Sequence, residues 1–203
     1  MHIQDLNEDV PVADTLRLKG ALRDLKDQRG KIARMIRAGE LILLRRGLYA
    51  LRRDLNPLEF AGAIYGPSYI SFETALSWHG LIPERVETIL SATLKRPCEF
   101  TNDFGIYRYR QVPAQVYPVG ITFIREAAMP FLMATPTKAI CDTIARGGPM
   151  RSMAEVVRWM ESLRIDTPLE LNPDELKTSV RDYGRTSVRW LGRAADKWGW
   201  IAR

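Results

Sequence analysis

Residues 29–53, RGKIARMIRAGELILLRRGLYALRR, hold nearly all the charge asymmetry of the chain. Eight cations, Arg29, Lys31, Arg34, Arg37, Arg45, Arg46, Arg52 and Arg53, stand against Glu40 alone, so the stretch carries +7. The chain of 203 residues carries +6, which leaves about −1 for the rest. A field this local points to a surface for a polyanion rather than to general solubility.

The order of residues inside the stretch narrows its fold. Ile32, Met35 and Ile36 recur at i, i+3, i+4 and make an apolar stripe, which predicts a helix over 31–38. Lys31, Arg34 and Arg37 fall on the opposite side. Gly39 is a natural stop, because glycine takes the left-handed conformation without a Cβ penalty. Two apolar runs follow, 41–44 and 48–51, around Arg45-Arg46-Gly47. They predict a basic β-hairpin. A helix running into a basic hairpin is the second half of a winged helix-turn-helix, with the helix in a groove and the wing tip at a phosphate or minor groove. An ordinary solvated basic helix face is the plain alternative, and the adjoining hairpin argues against it.

Asp14 is placed to cap a helix through Leu16, Leu18, Leu22 and Leu25, and Asp27-Gln28-Arg29-Gly30 separates it from the basic helix. Two helices therefore precede the hairpin where a standard winged module has three. The expected module is either compressed or degenerate.

Asp54-Leu55-Asn56-Pro57 closes this module, so the chain divides into residues 1–53 and 54–203. Pro57 opens a helix through Ile64, Gly66-Pro67 breaks it, and Ser71 can cap a helix from Phe72 to His79. Strand-like runs cover 88–94, 104–110 and 121–125. Thr135-Pro136 starts a helix, Ser152 with Glu155 forms a capping box, and Asn172-Pro173 starts another helix to about Tyr183. The last helix spans 187–198, with Val188, Leu191, Ala195 and Trp198 inward. The expected class is α+β, with an N-terminal winged helix-turn-helix and an α+β second part ending in helices.

Three segments resemble a known family. They are Arg46-Gly47-Leu48-Tyr49-Ala50-Leu51, then Tyr69 to Leu81 (YISFETALSWHGL), then Ala134 to Asp142 (ATPTKAICD). Together they look like the AbiEi family, antitoxins of type IV toxin–antitoxin systems linked to phage abortive infection. The likeness spans roughly residues 29–145, and the middle segment is its most specific part. The helices after Met150 carry no matching motif. The resemblance implies a winged helix-turn-helix that represses its own operon by binding operator DNA. It also implies a second domain that counteracts a nucleotidyltransferase-like toxin without a stable complex.

Little else in the chain points to chemistry. His2 and His79 are the only histidines, and Cys98 and Cys141 lie far apart without metal-ligand spacing. There is no phosphate-binding GxxxxGK[ST] loop and no GxSxG elbow. Pro173-Asp174-Glu175-Leu176-Lys177 echoes a nuclease motif, but its acids sit at one helix start, where capping explains them. Tyr107, Tyr109 and Tyr117 interleave with Arg108 and Arg110, which suits either a stacking platform for single-stranded nucleic acid or a half-buried strand. Of the C-terminal tryptophans, Trp200 is the one placed for an interface. The acidic N-terminus interrupts any secretory signal, and no apolar run nears the ~20 residues that span a bilayer. With two cysteines the expected setting is a reducing cytoplasm. The resulting expectation is a non-enzymatic, cofactor-free, DNA-binding antitoxin. The rival is a protein- or RNA-binding module that sequesters a toxin or its substrate.

Overall fold

The computed structural model describes residues 11–202. The chain is mixed α+β. The readings that fall on residues 1–10, His2 and the acidic N-terminus, lie outside the described residues.

The N-terminal part runs β1 (Val12–Asp14), α1 (Thr15–Ala21), α2 (Gln28–Arg37), β2 (Ile42–Arg45) and β3 (Leu48–Ala50). All three strands pair antiparallel in the order β1-β3-β2. Asp14 caps α1 by accepting from the Arg17 amide at 2.7 Å. This helix is shorter than the leucine spacing suggested. Leu18 and Leu22 lie one turn apart and are buried, whereas Leu16, 200° round the helix from Leu18, is 79% exposed and Leu25 lies beyond the helix end. Asp27 caps α2 by accepting from the Gly30 amide at 2.8 Å. At the other end Gly39 has φ +75°. The Gly39 and Glu40 amides reach the carbonyls of Ile36 (3.1 Å) and Met35 (2.9 Å), the paired bonds of a Schellman stop.

The larger part contains a 3₁₀ turn (Pro57–Phe60), α3 (Ala61–Ile64), β4 (Ser68–Ile70), α4 (Phe72–Trp78), β5 (Thr88–Thr93), β6 (Cys98–Asn102) and β7 (Gly105–Gln111). After these come β8 (Ile121–Ile124), β9 (Phe131–Ala134), α5 (Pro136–Arg146), α6 (Met153–Ser162), α7 (Pro173–Tyr183) and α8 (Thr186–Trp198). Six strands form one mixed sheet in the order β6-β7-β5-β4-β9-β8, with parallel pairs β5–β7 and β4–β9. Side chains alternate across it. Tyr107 and Tyr109 point one way and donate to the carbonyls of Pro57 (2.9 Å) and Ala61 (2.6 Å). Tyr69 points the other way and donates to Asp142 on α5. The 3₁₀ turn and α3 therefore cover one face, and α4 and α5 the other. Helix α5 is buried at every position from Thr137 to Ala145.

Several sequence expectations are corrected here. Short strands β1, β4, β6 and β9 add to the three expected runs. The helix foreseen from Pro57 is split into a 3₁₀ turn and one α-helical turn. Ser71 stands at the α4 N-cap without capping it, because its hydroxyl donates to Asp142 at 2.6 Å. Trp198 is 39% exposed and Trp200 is buried, the reverse of the expected placing. Helix α8 ends at Gly199 (φ +66°), and that reversal carries Trp200 back onto the core.

The N-terminal sheet is shared between two cores. Leu41, Tyr49, Leu51 and Ala13 face α1 and α2, where they meet Leu18, Leu22, Ile32 and Met35. Ile42, Leu44, Leu48 and Ala50 face the opposite way and join the main core beside Leu55 and Phe60. Polar bonds reinforce this seam. Arg45 donates to the Ile64 carbonyl at 2.7 Å, and the Asn102 amide donates to the Leu44 carbonyl at 3.0 Å. The boundary expected near residue 53 is crossed by a continuous apolar seam.

Candidate nucleic-acid interface

Ile32 and Met35 anchor α2 to the small core, and this fixes where its charges go. Arg34 and Arg37 project from the opposite side and are exposed. Arg29 is exposed on one flank, and Lys31 is half-buried on the other. Gly30 lies between Arg34 and Arg37 on the outward face. A Cβ there would stand 1.9 Å from the Asp27 carboxylate that caps the helix. Glycine lets the cap close over the first turn.

The hairpin turn is short. Arg46 and Gly47 alone link β2 to β3, with Gly47 at φ +81°. Only glycine takes that geometry without strain. The Gly47 carbonyl accepts from the Thr15 amide at 3.0 Å, so the tip is tied back to the start of α1. Leu43, which pairs with Tyr49 across the hairpin, stays 46% exposed at the sheet edge.

The eight cations named from sequence separate into two groups. Arg45 spends its guanidinium on the Ile64 and Arg46 carbonyls. Arg52 forms a two-point pair with Asp54 at 2.9 and 2.6 Å. That pair raises the arginine pKa and, through the same hydrogen bond, lowers the Asp54 carboxyl pKa. Arg53 approaches Asp103 at 3.7 Å. Arg34 stands 3.6 Å from Asp27, a loose exposed contact that is easily exchanged. Arg29, Lys31, Arg37 and Arg46 have no acidic partner among the described residues. Outward charge is thus concentrated on α2 and at Arg46.

Sequence reading missed a second cationic stripe. Arg185, Arg189, Arg193 and Lys197 follow one another at steps of four along α8, and all are exposed. The spacing was present in the sequence, beneath the apolar pattern of the same helix. Arg193 lies over the Trp190 ring at 4.6 Å.

A second constellation joins two of the family-like segments. Lys138 and Asp142 form a fully buried pair at 2.9 Å. Asp142 also accepts from Tyr69 (2.9 Å), Ser71 (2.6 Å) and Tyr183 (2.5 Å), while Lys138 donates to the Val116 carbonyl at 2.7 Å. Burial, followed by the neighbouring Asp142 charge, pushes both phenols far above the ordinary tyrosine value, so they stay donors. With donors filling both its oxygens, this carboxylate is a fastener for α5, β4 and α7 rather than a base.

The remaining candidates resolve into structure. The His79 Nε2 bonds the Ala134 carbonyl at 2.8 Å. Asn172 caps α7, and Glu175 accepts from Thr135 at 2.5 Å, which occupies one acid of the nuclease-like stretch. Tyr107 and Tyr109 are buried, which removes them as a stacking platform. Among the described residues no group of His, Cys, Asp or Glu has the geometry to hold a metal ion. No helix among them is long and apolar enough to cross a membrane. No protein-family model matches the chain, and no curated protein matches it either.

Proposed function

We propose that this chain is a DNA-binding antitoxin that represses its own operon and counteracts a nucleotidyltransferase-like toxin. The observation that carries the DNA-binding half is the order β1-α1-α2-β2-β3 with strand order β1-β3-β2 and outward cations on α2. That arrangement is what a winged helix-turn-helix needs after its first helix. Helix α2 reads the major groove through Arg34 and Arg37, and Arg46 touches an adjacent phosphate. Arg29 and Lys31 flank the groove. The toxin-directed half rests on the resemblance of residues 69–81 and 134–142 to AbiEi antitoxins. The Asp142 network supports it by showing that those two segments form one built unit.

The test is an anisotropy titration of the full chain against the DNA upstream of its own reading frame. Arg34→Ala with Arg37→Ala should weaken binding by ~1–3 kcal/mol for each arginine that reads a base. The α8 stripe offers sequence-independent attraction, so Arg189→Gln with Arg193→Gln should weaken operator and random DNA alike and flatten the salt dependence. Unaltered binding by the α2 double variant would exclude α2 as the reading helix. Co-expression with a neighbouring nucleotidyltransferase gene should restore growth, and persistent toxicity would remove the antitoxin half.

A further inference from the structure

Three arginines from three different elements converge on a cleft remote in sequence from α2. Arg110 is the penultimate residue of β7, Arg146 ends α5, and Arg185 joins α7 to α8. With Phe72, Asp142 and Tyr183 they border a cavity of about 290 Å³. Arg110 and Arg146 also border a neighbouring cavity of about 400 Å³, whose other walls include Glu73, Trp159, Leu163 and Thr143. Arg110 and Arg146 thus line both spaces.

The charges here are not used up within the protein. Arg146 pairs with Glu73 and lies 5.5 Å from the centre of the Phe72 ring. Arg110 and Arg185 form no ion pair among the described residues. The Arg110 Nε is buried without any hydrogen-bond partner, and so is the Glu73 Oε2 that borders the same cavity. A buried donor without a partner is unfavourable, more so when charged, so such a group marks a place for an acceptor. Asp142 cannot be that acceptor, because Lys138 and three hydroxyls already engage it. Setting Lys138 against Asp142 and one arginine against Glu73 leaves the cleft at about +2. Phe72, on its wall, has φ +56°, a conformation that a bulky residue adopts only under constraint.

We infer that this cleft binds a nucleotide, with its phosphate on Arg110, Arg146 and Arg185 and its base in the adjoining cavity against Trp159. Guanidinium forks match phosphate oxygens in pairs, which explains arginine rather than lysine at all three places. Single-ligand pockets span about 300–1,000 Å³, and the two adjacent cavities taken together fall in that range. The half-buried Trp159 ring supplies the flat apolar wall that a base requires. The site uses no residue of 29–53 and shares only Arg185 with the α8 stripe.

Calorimetric titration of the full chain with AMP, ATP, adenosine and inorganic phosphate tests it. AMP and ATP should bind, adenosine should not, and phosphate should bind at least tenfold more weakly than AMP. Arg110→Gln with Arg185→Gln should lower AMP affinity at least tenfold. Arg110→Lys, which keeps the charge and the fold but loses the fork, should lower it severalfold. Trp159→Leu should weaken AMP and spare phosphate. Arg34→Ala with Arg37→Ala should leave AMP binding unchanged. No binding of AMP or ATP at millimolar concentration, or binding that ignores Arg110 and Arg185, overturns the site. Phosphate binding as tightly as AMP, with no effect of Trp159→Leu, overturns the nucleotide assignment.

Discussion

Lys138 and Asp142 face each other one turn apart on α5, 2.9 Å between charged atoms, with neither side chain exposed. A buried pair of this kind contributes little as a pair, but breaking it strands a charge in the interior at ~3–5 kcal/mol. Asp142→Asn should therefore cost about that much in urea unfolding. Lys138→Met combined with Asp142→Leu should recover part of the loss in spite of the three orphaned hydroxyls. A single Asp142→Asn change that alters the midpoint by less than about 0.5 kcal/mol would show that the network does not fasten α5.

Alkaline stability should be limited by the same interior. Burial raises the phenols of Tyr69, Tyr183, Tyr107 and Tyr109 above their value in the unfolded chain, and it pushes the Cys141 thiol up to about 12. Each of these groups holds its proton more tightly folded than unfolded. Their contribution is thus complete below the unfolded values, near 9 for the thiol and 10 for the phenols, and falls as pH rises above them. Unfolding free energy should decline steadily from about pH 9 upward. Absorbance at ~295 nm should show these four phenols ionising only together with loss of structure. A titration in which all tyrosines ionise near pH 10 with the fold intact would contradict the burial argument.

The local devices were legible in the sequence, and the non-local ones were not. Asp14, Thr135 and Asn172 cap helices with side chains that reach only two or three residues ahead, so residue type and spacing suffice to find them. Asp27, read as part of the link before a helix at 31–38, instead caps a helix that starts at Gln28. The Gly39 and Gly47 reversals are equally local. Strand β4 is three residues long, and its place between β5 and β9 depends on pairing partners over 20 residues away. Ser71 has the ideal identity and position for an N-cap, yet a carboxylate 71 residues later takes its hydroxyl. Arg45 looks like a wing-tip cation until the Ile64 carbonyl comes within 2.7 Å of it. Convergence of Arg110, Arg146 and Arg185 is likewise a property of the assembled sheet and helices.

That diversion of Arg45 makes the two wing arginines unequal. Arg46→Ala should weaken operator and random DNA alike and reduce the salt slope by about one unit, as loss of one phosphate contact does. Arg45→Ala should leave the slope alone and instead lower stability by ~1–3 kcal/mol, since it removes a charged donor from a part-buried carbonyl. Equal losses of DNA affinity from both changes, with stability unaffected, would mean that Arg45 leaves Ile64 when DNA binds.

The shared hairpin predicts how the chain melts. Charge alone suggests two independent parts, +7 over residues 29–53 and about −1 elsewhere. Packing joins them, because Ile42, Leu44, Leu48 and Ala50 on one face of the N-terminal sheet are members of the main core. A sheet whose two faces belong to two cores transmits the loss of either to the other. Scanning calorimetry should therefore show one transition, with calorimetric and van't Hoff enthalpies agreeing. Leu44→Ala removes a side chain that is 1% exposed at the seam, and should cost ~2–5 kcal/mol while lowering that single transition as a whole. Tyr49 lies on the other face, so Tyr49→Ala should lower the same transition too. Two resolved transitions, with Leu44→Ala moving one and Tyr49→Ala the other, would mean that the hairpin seam does not couple the basic module to the body.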